Sequence, residues 1–215
     1  MKEKKRTEEE FWEEVNKLLN EQEKKLGASY SSSLFHNPQK LANTLSLYKF
    51  IAKIACPQKK VLELCCGEGI GSPILSEESA EYLGIDEKKS SIKSAQDNWS
   101  SEKRSFVLGD FLKKPFGKFD TIISLNTEKA LKKSLPLQLF QSIHSHLSEN
   151  GICIFKITNN KKHIKKIQED LLTLFHNVFT FFIDGGTVHS EISPLADNLL
   201  FLGCYKRGGK NEKGH

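Results

Sequence analysis

The sequence of 215 residues lacks any apolar run near the roughly 18 residues that a membrane-spanning helix needs. Its first ten residues, MKEKKRTEEE, contain no hydrophobic segment, so we expect no secretory signal. No sequence period recurs, which excludes collagen, coiled-coil rods and repeat arrays. Apolar residues make up 38% and charged residues 27% of the chain, proportions typical of a globular, water-soluble protein. The length predicts one domain with short extensions.

Two further absences concern cysteine chemistry and charge. The five cysteines are odd in number and form no C-x-x-C pair: Cys56, Cys65, Cys66, Cys153 and Cys204. We therefore expect neither a disulfide framework nor a metal site, and reduced thiols favour a cytoplasmic location. The net charge of +5 is small, and neither tryptophan lies among basic residues, so no nucleic-acid partner is expected. Residues 207–215 are predicted to form a disordered basic tail.

The beginning of the chain has two helical patterns. Thr7 and Glu10 have the spacing of a capping box, and an apolar stripe follows at helical spacing: Phe11, Trp12, Val15, Leu18 and Leu19. Asn37 and Pro38 are the N-cap and first residue of a second helix, which extends to about Ala55. The residues between the two helices, 28–37, are predicted to form a loop.

From Val61 onward, short β-branched and apolar runs alternate with helical segments. The strand-like runs are 61–64, 81–85, 106–108, 120–124, 151–157, 178–183 and 199–205. Strands separated by helices form parallel crossover units, whereas the last two runs have no helix between them and should pair antiparallel. The predicted fold class is therefore α/β: a doubly wound, seven-stranded, mostly parallel sheet with an antiparallel C-terminal edge hairpin, preceded by N-terminal helices.

Three acidic residues lie near the carboxyl ends of the first three strands, where ligands bind in open α/β sheets. Glu63 lies in the first strand, Asp86 ends the second, and Asp110 follows the third. A carboxylate at the end of the second strand can accept hydrogen bonds from both ribose hydroxyls of a nucleoside. The pattern indicates a nucleoside-containing ligand.

The sequence of the glycine turn after the first strand distinguishes between two classes of nucleoside ligand. Gly67, Gly69 and Gly71 form G-x-G-x-G, whereas a dinucleotide site needs G-x-G-x-x-G. Glu63 and Glu68 would also repel a pyrophosphate and would suit a ligand with a positive centre. S-adenosylmethionine is such a ligand, because it carries a sulfonium and an ammonium beside its ribose and adenine. A nicotinamide oxidoreductase is therefore disfavoured.

Four segments together resemble the ordered motifs of Rossmann-like (class I) S-adenosylmethionine-dependent methyltransferases: VLELCCGEGIGS, YLGID, FVLGDF and FDTIISLN. The resemblance covers residues 45–206, which would form the methyltransferase domain. Three further segments are similar to a bacterial subgroup of small-molecule methyltransferases often associated with cell-surface sugar modification: LANTLSLYKFIAK, LFHNVFTFF and VHSEISPLA. By this resemblance, residues 1–44 would form a helical extension or lid. Its linker Ser29–His36 would line the pocket mouth, and the first helix would pack over it.

The resemblance implies a role for each motif residue on the cofactor side. Glu63 would orient the methionine amino group, directly or through water. The backbone of three turn residues would line the methionine moiety: Cys65, Gly67 and Gly69. Asp86 would hold the ribose, and Asp110 would accept a hydrogen bond from the adenine amino group with Phe111 beside the ring. Cys65 replaces the usual first glycine of the motif, so backbone approach is less free there.

The acceptor side is less defined than the cofactor side. Asn126, just past the fourth strand, would face the methyl group and the substrate, and His189 in the final loop is a candidate general base. The sequence after strand four reads Asn126-Thr127-Glu128-Lys129, where such enzymes often have an acidic residue followed by histidine. The resemblance thus implies methyl transfer to a small molecule such as a sugar or another metabolite. The alternative is a methyltransferase-like protein that binds cofactor or a partner without turnover, and a homo-oligomer stays open.

Overall fold

The computed structural model describes residues 7–21, 26–113, 116–131, 136–159, 161–191 and 196–208. The helices are α1 (Glu8–Glu21), α2 (Ala28–His36), α3 (Pro38–Ala55), α4 (Ser72–Glu78), α5 (Lys89–Trp99), α6 (Thr127–Leu131), α7 (Pro136–His146) and α8 (Lys161–Leu172). The strands are β1 (Lys60–Leu64), β2 (Glu81–Asp86), β3 (Arg104–Leu108), β4 (Phe119–Ser124), β5 (Leu147–Thr158), β6 (Phe175–Asp184), β7 (Thr187–His189) and β8 (Asn198–Lys206).

All the described strands form one sheet in the order β3-β2-β1-β4-β5-β8-β6-β7. The pairs among β1 to β5 are parallel, whereas β8 pairs antiparallel with both β5 and β6. The predicted mostly parallel sheet with an antiparallel C-terminal hairpin is therefore confirmed. Strand order reverses at β1, which has β2 on one side and β4 on the other, so a crevice opens at the carboxyl ends of these strands.

Helices cover both faces of the sheet, as a doubly wound fold requires. On one face, α3, α4 and α5 bury a cluster that includes Ile51, Leu75 and Ile92 against the sheet. On the other face, α7 and α8 bury a second cluster that includes Phe140 and Leu171. The strands alternate between these clusters, since Val61 belongs to the first and Leu62 to the second. No helix among the described residues is long and apolar enough to cross a membrane.

Two elements differ from the sequence prediction. The sheet has eight strands and not seven, because Gly185 and Gly186, both at positive φ, form a tight turn that folds β7 back onto β6. Two successive residues at positive φ match the twist of a two-residue hairpin, a conformation that glycine adopts at little cost. The predicted loop 28–37 was also wrong, since Ala28–His36 form α2.

The caps predicted at the N-termini of the first two helical patterns are confirmed. The N–H of Thr7 donates to the Glu10 carboxylate at 2.9 Å, and the N–H of Glu10 donates to the Thr7 hydroxyl at 3.2 Å. Asn37 caps α3 by accepting from the N–H of Lys40 at 3.0 Å. Phe11 and Trp12 are about half exposed, whereas the side chains of Val15, Leu18 and Leu19 lie outside the described set. Residues 209–215 of the predicted tail also lie outside the described residues.

The third glycine of the turn leaves room for an aromatic ring. Gly71 precedes α4 with φ −80°, a conformation open to any residue, so its backbone does not require glycine. A Cβ at Gly71 would lie 2.2 Å from carbons of the Tyr48 ring, which is buried on α3. Gly71 is therefore needed for the close packing of α3 against the turn.

We expect Gly71→Ala to destabilise the fold by about 1–3 kcal/mol, because overpacking displaces Tyr48. The measurement is the free energy of unfolding in urea. Gly109→Ala is the matched control, since its Cβ would approach only the tip of the Phe116 ring, at 3.0 Å. An equal loss of stability in the two variants would contradict this account of Gly71.

Candidate functional site

A cavity of about 330 Å³ lies at the carboxyl ends of the central strands, beneath α2 and α3. Its floor is formed by residues that follow β1, β2 and β4, among them Gly67, Lys88 and Asn126. Its other walls come from α2, α3 and Lys156 of β5. The cavity thus occupies the crevice where the sequence analysis places the ligand.

The turn after β1 has the left-handed backbone conformation that its glycines suggest. Cys65, Gly67 and Gly69 have φ values of 56°, 59° and 77°. Cys65 therefore adopts a conformation that costs a residue with a Cβ about 1–2 kcal/mol. Gly67 lines the cavity, whereas Gly69 is buried and faces the Phe106 ring, which a Cβ would approach to 2.9 Å. Of these three residues, Gly67 is the one that leaves bare backbone at the cavity.

Asp86 joins the end of β2 to the glycine turn. One carboxylate oxygen accepts from the N–H of Gly67 at 3.0 Å, and the other accepts from the N–H of Lys88 at 2.9 Å. Both of these neighbours line the cavity. The buried carboxylate is thus held in a fixed orientation beside the cavity, although Asp86 itself lies outside the cavity lining.

Asp110 and Phe111 follow β3, outside the lining of this cavity. Asp110 accepts from the N–H of Leu112 at 3.0 Å and forms an ion pair with Lys113 at 3.3 Å. Phe111 is buried and contacts the rings of Phe116 and His146, with centroids 6.2 and 4.8 Å away. The adenine contacts of Asp110 and Phe111 therefore stay a prediction.

Glu63 is fully buried beneath the turn. Its two carboxylate oxygens accept hydrogen bonds from the hydroxyls of Tyr48 and Tyr82, each at 2.5 Å. Burial raises the pKa of Glu63 to about 7 by penalising the charged form, although the two tyrosines oppose this shift and Asp86 adds to it. Glu63 therefore lies outside the cavity lining and is linked to it by Tyr48, which is part of that lining.

Carboxylates give the cavity a negative potential at the end next to the glycine turn. Burial raises the pKa of Tyr30, which lies in the cavity wall on α2, and the charges of Glu63, Glu68 and Asp86 raise it further. Glu68 also accepts from the N–H of Ser29 at 3.1 Å, in the first turn of α2. A carboxylate at a helix N-terminus is favourable, because the helix dipole is positive there. Glu68 thus anchors α2 over the cavity.

The two candidate acceptor-side residues have different positions. Asn126 lines the cavity and donates from its amide to the carbonyl of Cys65 at 3.1 Å, which links the end of β4 to the glycine turn. His189 is exposed at the end of the edge strand β7, outside the lining of the cavity. The structure therefore brings Asn126 to the cavity and leaves His189 at its sheet edge.

Sequence reasoning missed three lysines at the cavity: Lys40 on α3, Lys88 after β2 and Lys156 on β5. Lys156 interrupts a run of apolar residues in its strand, ICIFKIT, which was the available signal. Burial lowers the pKa of Lys156, and repulsion from Lys40 lowers it further, while attraction to Glu128 opposes the shift. Within the described ranges, no group of three or more His, Cys, Asp and Glu residues could hold a metal ion.

The pKa of Glu63 predicts a pH effect on stability. A carboxyl group whose pKa is higher in the folded state, about 7, than in the unfolded state, about 4.3, loses stabilisation as pH rises between these values. We expect the free-energy difference between Glu63→Gln and the parent to shift in favour of the variant by about 2–3 kcal/mol from pH 5 to pH 8. Urea unfolding at both pH values measures it. Glu77→Gln, at an exposed position of α4, is the control, and parallel curves for all three proteins would contradict the prediction.

Three solved structures of methyltransferases have similar folds at low sequence identity. A TehB-like S-adenosylmethionine-dependent methyltransferase from Corynebacterium glutamicum has 18% identity and a TM-score of 0.63, over 83% of this chain and 99% of that one. The N-methyltransferase NodS from Bradyrhizobium japonicum, in complex with S-adenosylhomocysteine, has 17% identity and a TM-score of 0.61, over 80% and 90%. The glycopeptide N-methyltransferase MtfA, also with S-adenosylhomocysteine, has 13% identity and a TM-score of 0.60, over 75% and 89%.

These identities establish a shared fold. No curated protein sequence matches the chain. The family model described as a methyltransferase domain matches residues 56–194, which is more than half of the chain. The chain therefore belongs to the methyltransferase domain family, and the Rossmann-like, S-adenosylmethionine-dependent methyltransferase predicted from its motifs is confirmed.

Proposed function

We propose that this methyltransferase transfers the methyl group of S-adenosylmethionine to a small-molecule acceptor, such as a sugar or another metabolite. The observation that best supports this proposal is the combination of bare backbone at Gly67 with the negative potential of Glu63, Glu68 and Asp86. A sulfonium and an ammonium are stabilised by such a potential, whereas a pyrophosphate is repelled. These residues therefore fit S-adenosylmethionine better than a dinucleotide.

Each motif residue then has a distinct part in holding the cofactor. Asp86 is oriented by two backbone N–H groups and accepts the ribose hydroxyls. The turn Cys65–Gly69 lies under the methionine part, and Glu63 acts on the amino group through Tyr48, Tyr82 or water. Asp110 and Phe111 flank the adenine. These assignments rest on the family motif together with the hydrogen bonds of the turn.

When bound, S-adenosylmethionine supplies a methyl group on a positively charged sulfur, which passes to a nucleophilic atom of the acceptor as S-adenosylhomocysteine is released. The chain's contribution is mainly alignment, because effective concentration accounts for much of the rate in a displacement of this kind. Asn126 fixes the end of β4 against the glycine turn at the cavity. An acceptor that must lose a proton needs a base. His189 is the candidate for that role, although it is exposed on β7 and outside the cavity lining.

A second cavity favours turnover over binding alone. It has a volume of about 350 Å³ and shares Lys40, Thr44, Leu47 and Lys156 with the first cavity. An acceptor requires room next to the cofactor cavity, whereas a protein that only binds cofactor does not require it.

The five cysteines are free thiols, which supports the predicted cytoplasmic location.

Calorimetry on the intact protein tests this function. We expect S-adenosylhomocysteine to bind and NAD to bind much more weakly, and Asp86→Ala to reduce affinity for S-adenosylhomocysteine at least about tenfold through lost hydrogen bonds to a charged group. Asp86→Asn keeps the shape of the side chain, and Asp97→Ala removes an exposed acid of α5 as the control.

Turnover is measured in the same proteins with S-adenosylmethionine as the methyl donor, as S-adenosylhomocysteine formed on addition of a protein-free, nuclease-treated metabolite extract. Tighter binding of NAD than of S-adenosylhomocysteine would overturn the cofactor assignment. Release with added protein or nucleic acid but none with this extract would overturn the small-molecule acceptor.

The contact between Glu68 and α2 predicts a lid. Removing the carboxylate with Glu68→Ala should release the first turn of α2, so we expect S-adenosylhomocysteine to dissociate about three- to tenfold faster, a change of roughly 1 kcal/mol. Glu68→Gln keeps an acceptor for the N–H of Ser29 and should dissociate more slowly than Glu68→Ala. Stopped-flow displacement measures the rate, with Glu77→Ala as the control. Identical rates in all four proteins would exclude a lid held by Glu68.

A further inference from the structure

The second cavity lies between the start of α3 and the turn that joins β6 to β7. Its lining includes Asn43, Ile183 and Gly186, together with the four residues shared with the first cavity. The contact between these walls is close, since a Cβ at Gly186 would lie 2.8 Å from the side-chain amide of Asn43. The shared residues form the boundary between the two cavities, and Lys40 and Lys156 are the charged ones among them.

Lys156 has an unusual position for a lysine. It is half-buried near the carboxyl end of β5, between the buried side chains of Phe155 and Ile157 along the strand, and it is paired across the sheet with Leu200 of β8. Burying an ammonium group is unfavourable unless an anion accompanies it. Its position in the middle of the sheet therefore calls for a partner of opposite charge.

The described protein groups do not supply that partner. No carboxylate in the described ranges lies within ion-pair distance of Lys156 or Lys40. Glu128 attracts Lys156, but its carboxylate is already bound by the N–H and hydroxyl of Thr158. Asp197 belongs to the lining of the second cavity and is exposed to solvent.

The two lysines also repel each other, and this repulsion contributes to the lowered pKa of Lys156. Two like charges at one cavity boundary destabilise the protein unless a ligand neutralises them. Such perturbed groups cluster at functional sites more often than at structural ones. An oxyanion between the two ammonium groups would relieve both the burial and the repulsion.

We propose that the second cavity is the acceptor subsite and that Lys156, with Lys40 at its rim, binds an oxyanion group of the acceptor. This inference rests on the proposed function, and it narrows the acceptor to small molecules that bear a carboxylate, phosphate or sulfate. Lys156 is then a specificity-determining residue, which holds the charged end of the acceptor at the boundary with the cofactor cavity.

Titration calorimetry with three separate anions, inorganic phosphate, sulfate and acetate, tests the subsite at constant ionic strength. It is done on the full chain with and without saturating S-adenosylhomocysteine. We expect saturable binding of at least one anion, weakened about tenfold or more by Lys156→Met, since a charge-assisted hydrogen bond is lost. Lys156→Arg should retain binding, and Lys40→Met should weaken it about threefold or more. Preference for acetate over the tetrahedral anions would identify a carboxylate acceptor, and the reverse a phosphate or sulfate.

Lys49→Met, an exposed position on the same helix as Lys40, is the control and should leave anion binding unchanged. No saturable anion binding, or unchanged binding in Lys156→Met, would overturn the proposal. A loss of S-adenosylhomocysteine affinity in Lys40→Met without loss of anion binding would overturn the two-lysine site, because Lys40 would then serve the cofactor. Failure of the parent protein to bind S-adenosylhomocysteine would count against the proposed function, while the anion titration without it still tests Lys156.

Discussion

The carboxylate of Glu63 is fully buried, and the hydroxyls of Tyr48 and Tyr82 donate hydrogen bonds that stabilise its charge. This requirement joins three elements, since Glu63 lies on β1, Tyr82 on β2 and Tyr48 on α3. It also fixes α3 against the glycine turn, where Gly71 leaves room for the Tyr48 ring. The helix α3 precedes the crossover units and contributes one wall of both cavities. The position of that wall therefore depends on the charge of Glu63, which is buried within the crossover units.

Two further carboxylates extend this constraint toward the ligand. Asp86 holds the backbone of Gly67, and Glu68 holds the first turn of α2. Each stabilises the protein by accepting backbone N–H groups, and each adds negative potential to the same end of the cavity. Structural and functional roles therefore coincide in these residues.

The sequence was sufficient for the parallel core and for the family, because alternation along strands and the order of the motifs are local features. It failed where the environment decides the structure. Residues 28–36 contain three consecutive serines and no apolar stripe, yet they form a helix whose first turn contacts Glu68. The strand Thr187–His189 depends on two glycines at positive φ. Lys40 and Lys156 are far apart in sequence, so only packing reveals that they line the same two cavities.

A surface hairpin forms one wall of the second cavity, where Gly186 closely approaches Asn43, and Lys156 of the central sheet forms part of another wall. Insertions and substitutions are tolerated best in such turns, whereas the glycine turn after β1 permits few changes. The β6–β7 turn thus lines the cavity proposed for the acceptor and not the first cavity, whereas Gly67 of the glycine turn lines the first cavity and not the second. Natural variation in the length of this one hairpin would let related chains acquire new acceptors while keeping the same donor.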